Sequence, residues 1–172
     1  QRARFRGETI SELGNDYACY LQYTIWLGAS FVTTNPVLIK MAWDLDPAFW
    51  NARVDEIILS HYSRADLQDF LAGSAEKQDK VITAINSFVT MAVVEDNCRM
   101  LRDIFLVTEG REGYVSLQVN PKNHYDGEAM VTEARALYKE LERTFDGVPN
   151  VVFKRPATAA AKHAAKELTS EG

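Results

Sequence analysis

Short runs of β-branched and aromatic residues, each bounded by turn residues, mark three buried strands in this chain. The runs cover residues 29–33, 114–119 and 151–154. Their length and composition are typical of strands in the interior of an α/β sheet. A fourth strand could be hidden before Ala29.

Outside these runs, apolar residues recur every three or four positions, which predicts amphipathic helices. We expect a first helix, capped by Thr9 or Ser11, that runs to about Leu27. Asp126 is expected to cap another helix that ends near residue 146, and an alanine-rich helix is predicted over about 158–168.

A long helical region separates the first two predicted strands. Helices are expected to begin at Pro47 and Ser63, and a third is predicted over about 75–105. The order of strands and helices implies a parallel sheet with right-handed crossovers. Several helices between two consecutive strands are more than a plain βα unit needs.

The composition fits one ordinary soluble domain over residues 1–172, with 47% hydrophobic residues, 25% charged residues and a net charge of −5. This mild charge gives no nucleic-acid footprint. The apolar run 17–32 is too short for a membrane helix. Cys19 and Cys98 share no close spacing, which indicates free thiols in a reducing compartment. The three histidines form no metal-ligand spacing.

Lys154 stands at the carboxyl end of its predicted strand, where the chemistry of parallel α/β sheets gathers. An ammonium group in a poorly solvated interior loses its proton more easily, and the amine then attacks carbonyls. The alternative is a lysine that simply reaches solvent at the strand end.

Three strand ends carry related motifs. They read T-T-N-P at 33–36, G-Y-V-S-L-Q-V at 113–119 and K-R-P-A-T at 154–158. In this order they resemble the transaldolase family, whose members carry T-[TS]-N-P, G-x-V-S-x-E-V and K-[IVL]-P-[AS]-T. The resemblance covers about residue 29 to the end of the chain.

The resemblance implies a (β/α)₈ TIM barrel. Because only three or four strands are visible, we expect a partial barrel, its first half, with extra helices between the strands. The chain begins at Gln1 and stops where the family continues, so truncation at both ends is expected. Exposed sheet edges then predict a homo-oligomer or a need for the missing C-terminal half.

The resemblance also implies roles for individual residues. Lys154 matches the Schiff-base lysine and Asn35 the substrate-binding asparagine, although an asparagine before proline also forms turns without any ligand. Thr33 is a further substrate-binding candidate, although a strand-end or cap role, which is also predicted for Thr34, explains it better. Arg155 departs from the family, which has an apolar residue at this position.

At two positions where the family has a carboxylate, this chain departs from the family pattern or from its expected local structure. Gln118 occupies the position of the family's proton-exchanging glutamate, and an amide cannot act as a general acid or base. Asp16 lies about as far before Asn35 as the family's catalytic aspartate does. Its local sequence, 14–17, nevertheless predicts a helix start with a capping or solvated role.

The resemblance therefore implies a cytoplasmic enzyme of sugar-phosphate metabolism and the pentose phosphate pathway. It would transfer a three-carbon dihydroxyacetone unit between phosphorylated sugars through a lysine Schiff base, with no metal or organic cofactor. The alternative hypothesis is a catalytically weak or inactive homologue that binds sugar phosphates or a partner chain.

Overall fold

The computed structural model describes residues 2–16 and 19–171 of the chain. Within this part the strands are β1 (Leu13–Asn15), β2 (Ala29–Thr33), β3 (Tyr114–Gln118) and β4 (Val151–Lys154). The helices are α1 (Arg2–Phe5), α2 (Leu21–Leu27), α3 (Pro36–Leu45), α4 (Pro47–His61), α5 (Arg64–Leu71), α6 (Ala75–Val107), α7 (Gly127–Phe145) and α8 (Ala159–Ser170). A single 3₁₀ turn, Pro121–Asn123, follows β3.

The four strands form one sheet in the order β1-β2-β3-β4, and every neighbouring pair is parallel. Each strand therefore pairs with the strand next to it in sequence. A doubly wound sheet would reverse this order at a switch point, whereas a (β/α)₈ barrel keeps it. The predicted α/β class is confirmed, and the sheet is consistent with part of a TIM barrel.

The first strand corrects the predicted helix from Thr9 or Ser11 to Leu27. Residues 13–15 instead pair with β2, and α2 begins only at Leu21. Gly14 lies against the ring of Phe31, where an added Cβ would come within 2.2 Å of a ring carbon. The fourth strand expected before Ala29 is thus β1. The predicted helical positions at 17–18 lie outside the described residues.

The other elements follow the sequence pattern closely. Helix α6 has 33 residues, and α7 begins behind Asp126, whose carboxylate accepts a hydrogen bond from the backbone N–H of Ala129. Its apolar stripe packs with α8 and the end of β3 in one buried cluster: Val119, Met130, Val131, Ala134, Ala161 and Ala164. Phe153 of β4 packs against this cluster, which therefore covers one face of the sheet.

Contacts group the chain into two compact units, residues 1–35 with 94–172 and residues 36–93. The first unit contains the sheet, and α6 begins in the second unit and ends in the first. A single domain over 1–172 remains a prediction.

The second unit consists of α3, α4, α5 and the first part of α6. Asp46 caps α4 at Phe49, and Ser63 and Asp66 form a reciprocal capping box at α5, as the local sequence predicts. No helix in the described parts of the chain is both long and apolar enough to span a membrane.

Ion pairs hold the N-terminal helix α1 in place within the first unit. The guanidinium group of Arg4 pairs with Glu12 at 2.7 Å and with Glu112 at 2.6 Å. Glu12 also accepts a hydrogen bond from the hydroxyl of Ser30. These contacts tie α1 to the segments that lead into β1 and β3.

Candidate active site

All five candidate residues lie at the carboxyl ends of the four strands. Asp16 follows β1, Thr33 ends β2, Asn35 lies two residues further on, Gln118 ends β3 and Lys154 ends β4. Because the strands are parallel, these ends share one edge of the sheet, which is where α/β enzymes place their sites. Residues separated by up to 138 positions, from Asp16 to Lys154, therefore gather in one region.

Gln118 and Lys154 form the centre of this edge. They are register partners in the pairing of β3 with β4, so their side chains leave the sheet on the same face. Gln118 is half-buried and Lys154 is exposed. The poorly solvated surroundings expected for Lys154 are therefore not provided by the described residues.

Alternation along β4 separates a helix-facing side from an open side. Val151 is buried and Phe153 packs on the helix cluster, whereas Val152 is 45% exposed. Val152 and Lys154 therefore share the open side. Asn150, directly before β4, is fully buried and donates to the carbonyls of Cys98 and Gly113, so its role is structural.

Asp16 does not begin a helix. It directly follows β1, and its carboxylate oxygen Oδ1 accepts a hydrogen bond from the hydroxyl of Thr33. The predicted helix start, and with it the capping role, is therefore wrong, whereas the exposed side chain of Asp16 fits the alternative of a solvated role. The contact places a carboxylate beside the end of β2, on the edge that also carries Gln118 and Lys154.

The next two residues of the T-T-N-P motif lie just beyond β2. Thr34 is fully buried, and its hydroxyl donates to the carbonyl of Ser116 at 2.6 Å, which ties the end of β2 to β3. Asn35 is half-buried and immediately precedes α3. The strand-end role predicted for Thr34 is confirmed.

Arg155 causes no conflict with the helix layer. Its side chain is exposed, and Nε donates to the carbonyl of Ala161 in α8 at 3.1 Å. The arginine at this family position is thus held by the first turn of the helix that follows.

The chain matches one known family over most of its length. The family model described as Transaldolase/Fructose-6-phosphate aldolase matches residues 18–172. The chain belongs to this family.

Curated members of the transaldolase family show the same relationship. A transaldolase of Thiobacillus denitrificans is 30% identical over 145 residues, which cover 84% of this chain and 34% of the relative. A transaldolase of Neisseria meningitidis is 30% identical over 147 residues, with the same two shares. A transaldolase of Acidothermus cellulolyticus is 37% identical over 75 residues, 44% of this chain and 19% of the relative. The chain thus spans about a third or less of these relatives' length.

One residue near this transaldolase-family site was missed in the sequence. Glu133 lies on the apolar stripe of α7, between Met130 and Leu137, and both its carboxylate oxygens accept from the backbone N–H of Asn120 at 3.0 Å. Burial raises the pKa of Glu133, against the lowering effect of its bonds to Asn120 and Asn123. The sequence signal that could have identified it is a glutamate at a position of α7 where the helical pattern calls for an apolar residue.

Two other kinds of reactive group, metal ligands and thiols, could contribute to the chemistry of a site of this kind. Among the described residues, no group of three or more His, Cys, Asp or Glu side chains is arranged to hold a metal ion. Cys98 is a buried free thiol, and burial raises its pKa to about 12. Cys98 is therefore a structural residue and not a nucleophile.

Proposed function

We propose that this chain carries the Schiff-base site of a transaldolase-type transferase, with Lys154 as the nucleophile. The supporting observation is the position of Lys154 at the carboxyl end of β4, in register with Gln118, in a chain of the transaldolase family. Asp16 and Thr33 lie at the same edge. Strand ends of parallel sheets are where such residues act together.

The reaction follows from the chemistry of a lysine amine. The neutral amine of Lys154 adds to the C2 carbonyl of a ketose, and loss of water gives an iminium ion. Removal of the C4 hydroxyl proton breaks the C3–C4 bond: the C4 fragment leaves as an aldehyde, and the electron pair of the broken bond passes to the iminium ion and gives an enamine. The enamine then attacks an acceptor aldehyde, and hydrolysis frees Lys154.

Each of these steps moves a proton, so the site needs an acid–base group. Gln118 can orient water or a substrate hydroxyl through its amide, but it cannot take a proton. Of the five candidates, Asp16 alone has a carboxylate. We assign the proton transfer to Asp16, oriented by Thr33, and we assign substrate binding to Asn35 and Thr33.

The substrates proposed are phosphorylated sugars, with a three-carbon dihydroxyacetone unit passed from a ketose phosphate to an aldose phosphate. Family membership supports this class. A role in the pentose phosphate pathway and a cytoplasmic location belong to the same proposal. The chemistry needs no metal or organic cofactor, because the iminium ion itself accepts the electrons.

A second candidate is a homologue that binds sugar phosphates or a partner chain with little or no turnover. The observation in its favour is Gln118, an amide beside Lys154 where the family's glutamate belongs. Val152, 45% exposed on the open face, offers apolar area to a partner chain or a second copy. Light scattering of the chain would test self-association, which a dispersed monomer would contradict.

Borohydride trapping tests the primary proposal. The protein is incubated with fructose 6-phosphate, with and without an aldose phosphate acceptor, reduced, digested and analysed by mass spectrometry. We expect the reduced adduct on Lys154, and its loss in Lys154→Met. Lys162→Met, which removes an exposed lysine of α8, is the matched control and should label normally. Equal labelling of Lys154→Met, or an adduct on another lysine, would overturn the assignment.

A further inference from the structure

Successive backbone N–H groups of the segment that follows β3 donate hydrogen bonds to two different elements, β4 and α7. The backbone N–H of Val119 donates to the carbonyl of Lys154 at 3.1 Å, and the next N–H, from Asn120, donates to Glu133 at 3.0 Å. Gln118 directly precedes both residues. The path of the backbone beyond Gln118 is therefore fixed by β4 on one side and by α7 on the other.

The contact to Glu133 continues into the loop of residues 120–126. The Asn123 amide donates to Glu133 at 3.4 Å, and the side chain of Asn120 accepts from the N–H of Lys122 at 3.0 Å. One carboxylate thus holds the first residue of the loop and contacts the end of its 3₁₀ turn. Charge-assisted hydrogen bonds of this kind are roughly twice as strong as neutral ones.

The far end of the same loop has its own, separate anchor. The hydroxyl of Thr158, which caps α8, donates to the carbonyl of His124 at 2.6 Å. Gly127 lies so close to α8 that an added Cβ would come within 2.9 Å of the carbonyl oxygen of Ala160. Because this end is held by α8, loss of Glu133 would release only the end next to Gln118.

The position of Glu133 indicates that this anchor matters. Desolvation of a charged carboxylate on the apolar stripe of a helix costs free energy, and burial accordingly raises the pKa of Glu133. An apolar residue would suit the stripe better. What the carboxylate gains in exchange is the bond to the N–H of Asn120, two residues beyond Gln118.

We propose that Glu133 is a positioning residue for Gln118: it fixes the backbone that follows β3 and thereby the direction of the Gln118 side chain beside Lys154. The proposal goes beyond the transferase function, since it concerns the placement of Gln118 whether Lys154 turns substrate over or only binds it.

NMR spectroscopy of the intact chain tests this placement directly. In Glu133→Gln, we expect the backbone amide of Asn120 to exchange with solvent at least about ten times faster, because a charge-assisted acceptor is lost. The side-chain amide resonances of Gln118 should shift as well. Glu142→Gln, an exposed glutamate of the same helix, is the matched control and should change neither readout.

Two further measurements separate positioning from general destabilisation. The amide of Ala161, held by Thr158 at the other anchor, should keep its exchange rate in Glu133→Gln. Asn123→Ala, which leaves the Asn120 contact in place, should shift Gln118 in the same direction by a smaller amount. Two results would overturn the proposal. One is amide exchange that becomes faster by the same factor throughout β3 and α8. The other is faster exchange of the Asn120 amide with no shift of the Gln118 side-chain resonances.

The outcome is independent of the trapping experiment. If Lys154 fails to trap a ketose phosphate but Glu133→Gln still moves Gln118, the positioning role stands and the transferase function does not. If trapping succeeds, Glu133→Gln should lower the transfer rate in the parent but add nothing in a Gln118→Ala background, because the two residues then act through one element. Additive losses would contradict a role through Gln118.

Discussion

Gln118 and Lys154 end neighbouring parallel strands as direct register partners. Parallel strands lie roughly 4.8 Å apart, so the two side chains start from adjacent backbones on the same face of the sheet. An amide in this place can order a water molecule beside the amine, but it cannot exchange protons with it. The pair thus joins the proposed nucleophile to an amide, where the family motif has a glutamate.

Gln118→Glu supplies that base. Positioned acid–base catalysis contributes ~10²–10⁴ in rate, so we expect at least about a tenfold rise in transfer activity. The measurement is the steady-state rate of transfer from fructose 6-phosphate to an aldose phosphate, with free three-carbon product followed in parallel. Gln22→Glu, at an exposed position in α2, is the control for the added charge. Brisk turnover in the parent with no gain from the glutamate would contradict this prediction and would show that Asp16 alone supplies the proton transfer.

The sequence predicted three of the four strands because each is a β-branched or aromatic run bounded by turn residues. It failed at β1, which has only three residues, one of them Gly14, and no β-branched side chain. Pairing with β2 stabilises this strand, whose residues have too little intrinsic strand propensity to predict it. The misplacement of Asp16 followed from the same error.

The site shows the same division. Lys154, Gln118 and Thr33 could be placed because their strands could be placed. Contacts that depend on packing between distant elements, such as Glu133 with Asn120, are set by the approach of α7 to the segment after β3. A linear pattern records only that Glu133 interrupts an apolar stripe.

Thr34 should contribute measurably to stability. In Thr34→Val the buried hydroxyl that donates to Ser116 is lost while the side-chain shape is kept. An unsatisfied buried carbonyl costs about 1–3 kcal/mol, so the free energy of unfolding should fall by this amount in a urea titration. Thr132→Val, at an exposed site of α7, should stay within about 0.5 kcal/mol. A Thr34→Val protein as stable as the parent would show that Ser116 has another donor.

Gly113 should tolerate no side chain. Its φ of +86° lies in the left-handed region, and an added Cβ would come within 2.5 Å of the backbone nitrogen of Phe105. Strain and the backbone clash together should cost Gly113→Ala more than about 3 kcal/mol in the free energy of unfolding. Gly7→Ala, with φ +72° but open space around it, should cost about 1 kcal/mol from strain alone. Equal losses in the two variants would show that α6 can move away from Gly113.

Glu95 makes the free energy of unfolding depend on pH. Burial is the main cause that raises the pKa of Glu95 above its ordinary value of 4.5, and the charge of Arg99 is the main cause that lowers it. The folded state therefore holds this proton more tightly than the unfolded state. The stabilisation is complete below the ordinary pKa and is lost as the pH rises through the folded pKa.

Glu95→Gln removes this titration. Its free energy of unfolding, relative to the parent, should therefore rise as the pH increases from about 4.5 through the folded pKa and then level off. Arg99→Met should do the reverse: loss of the cation raises the pKa of Glu95 further in this variant, so the variant loses more stability than the parent as the pH increases. Urea titrations at half-unit pH intervals would measure both differences. A Glu95→Gln difference that stays flat across this range would mean that Glu95 is ionised equally easily in the folded and unfolded chain, and that water reaches it despite its position beside Thr144.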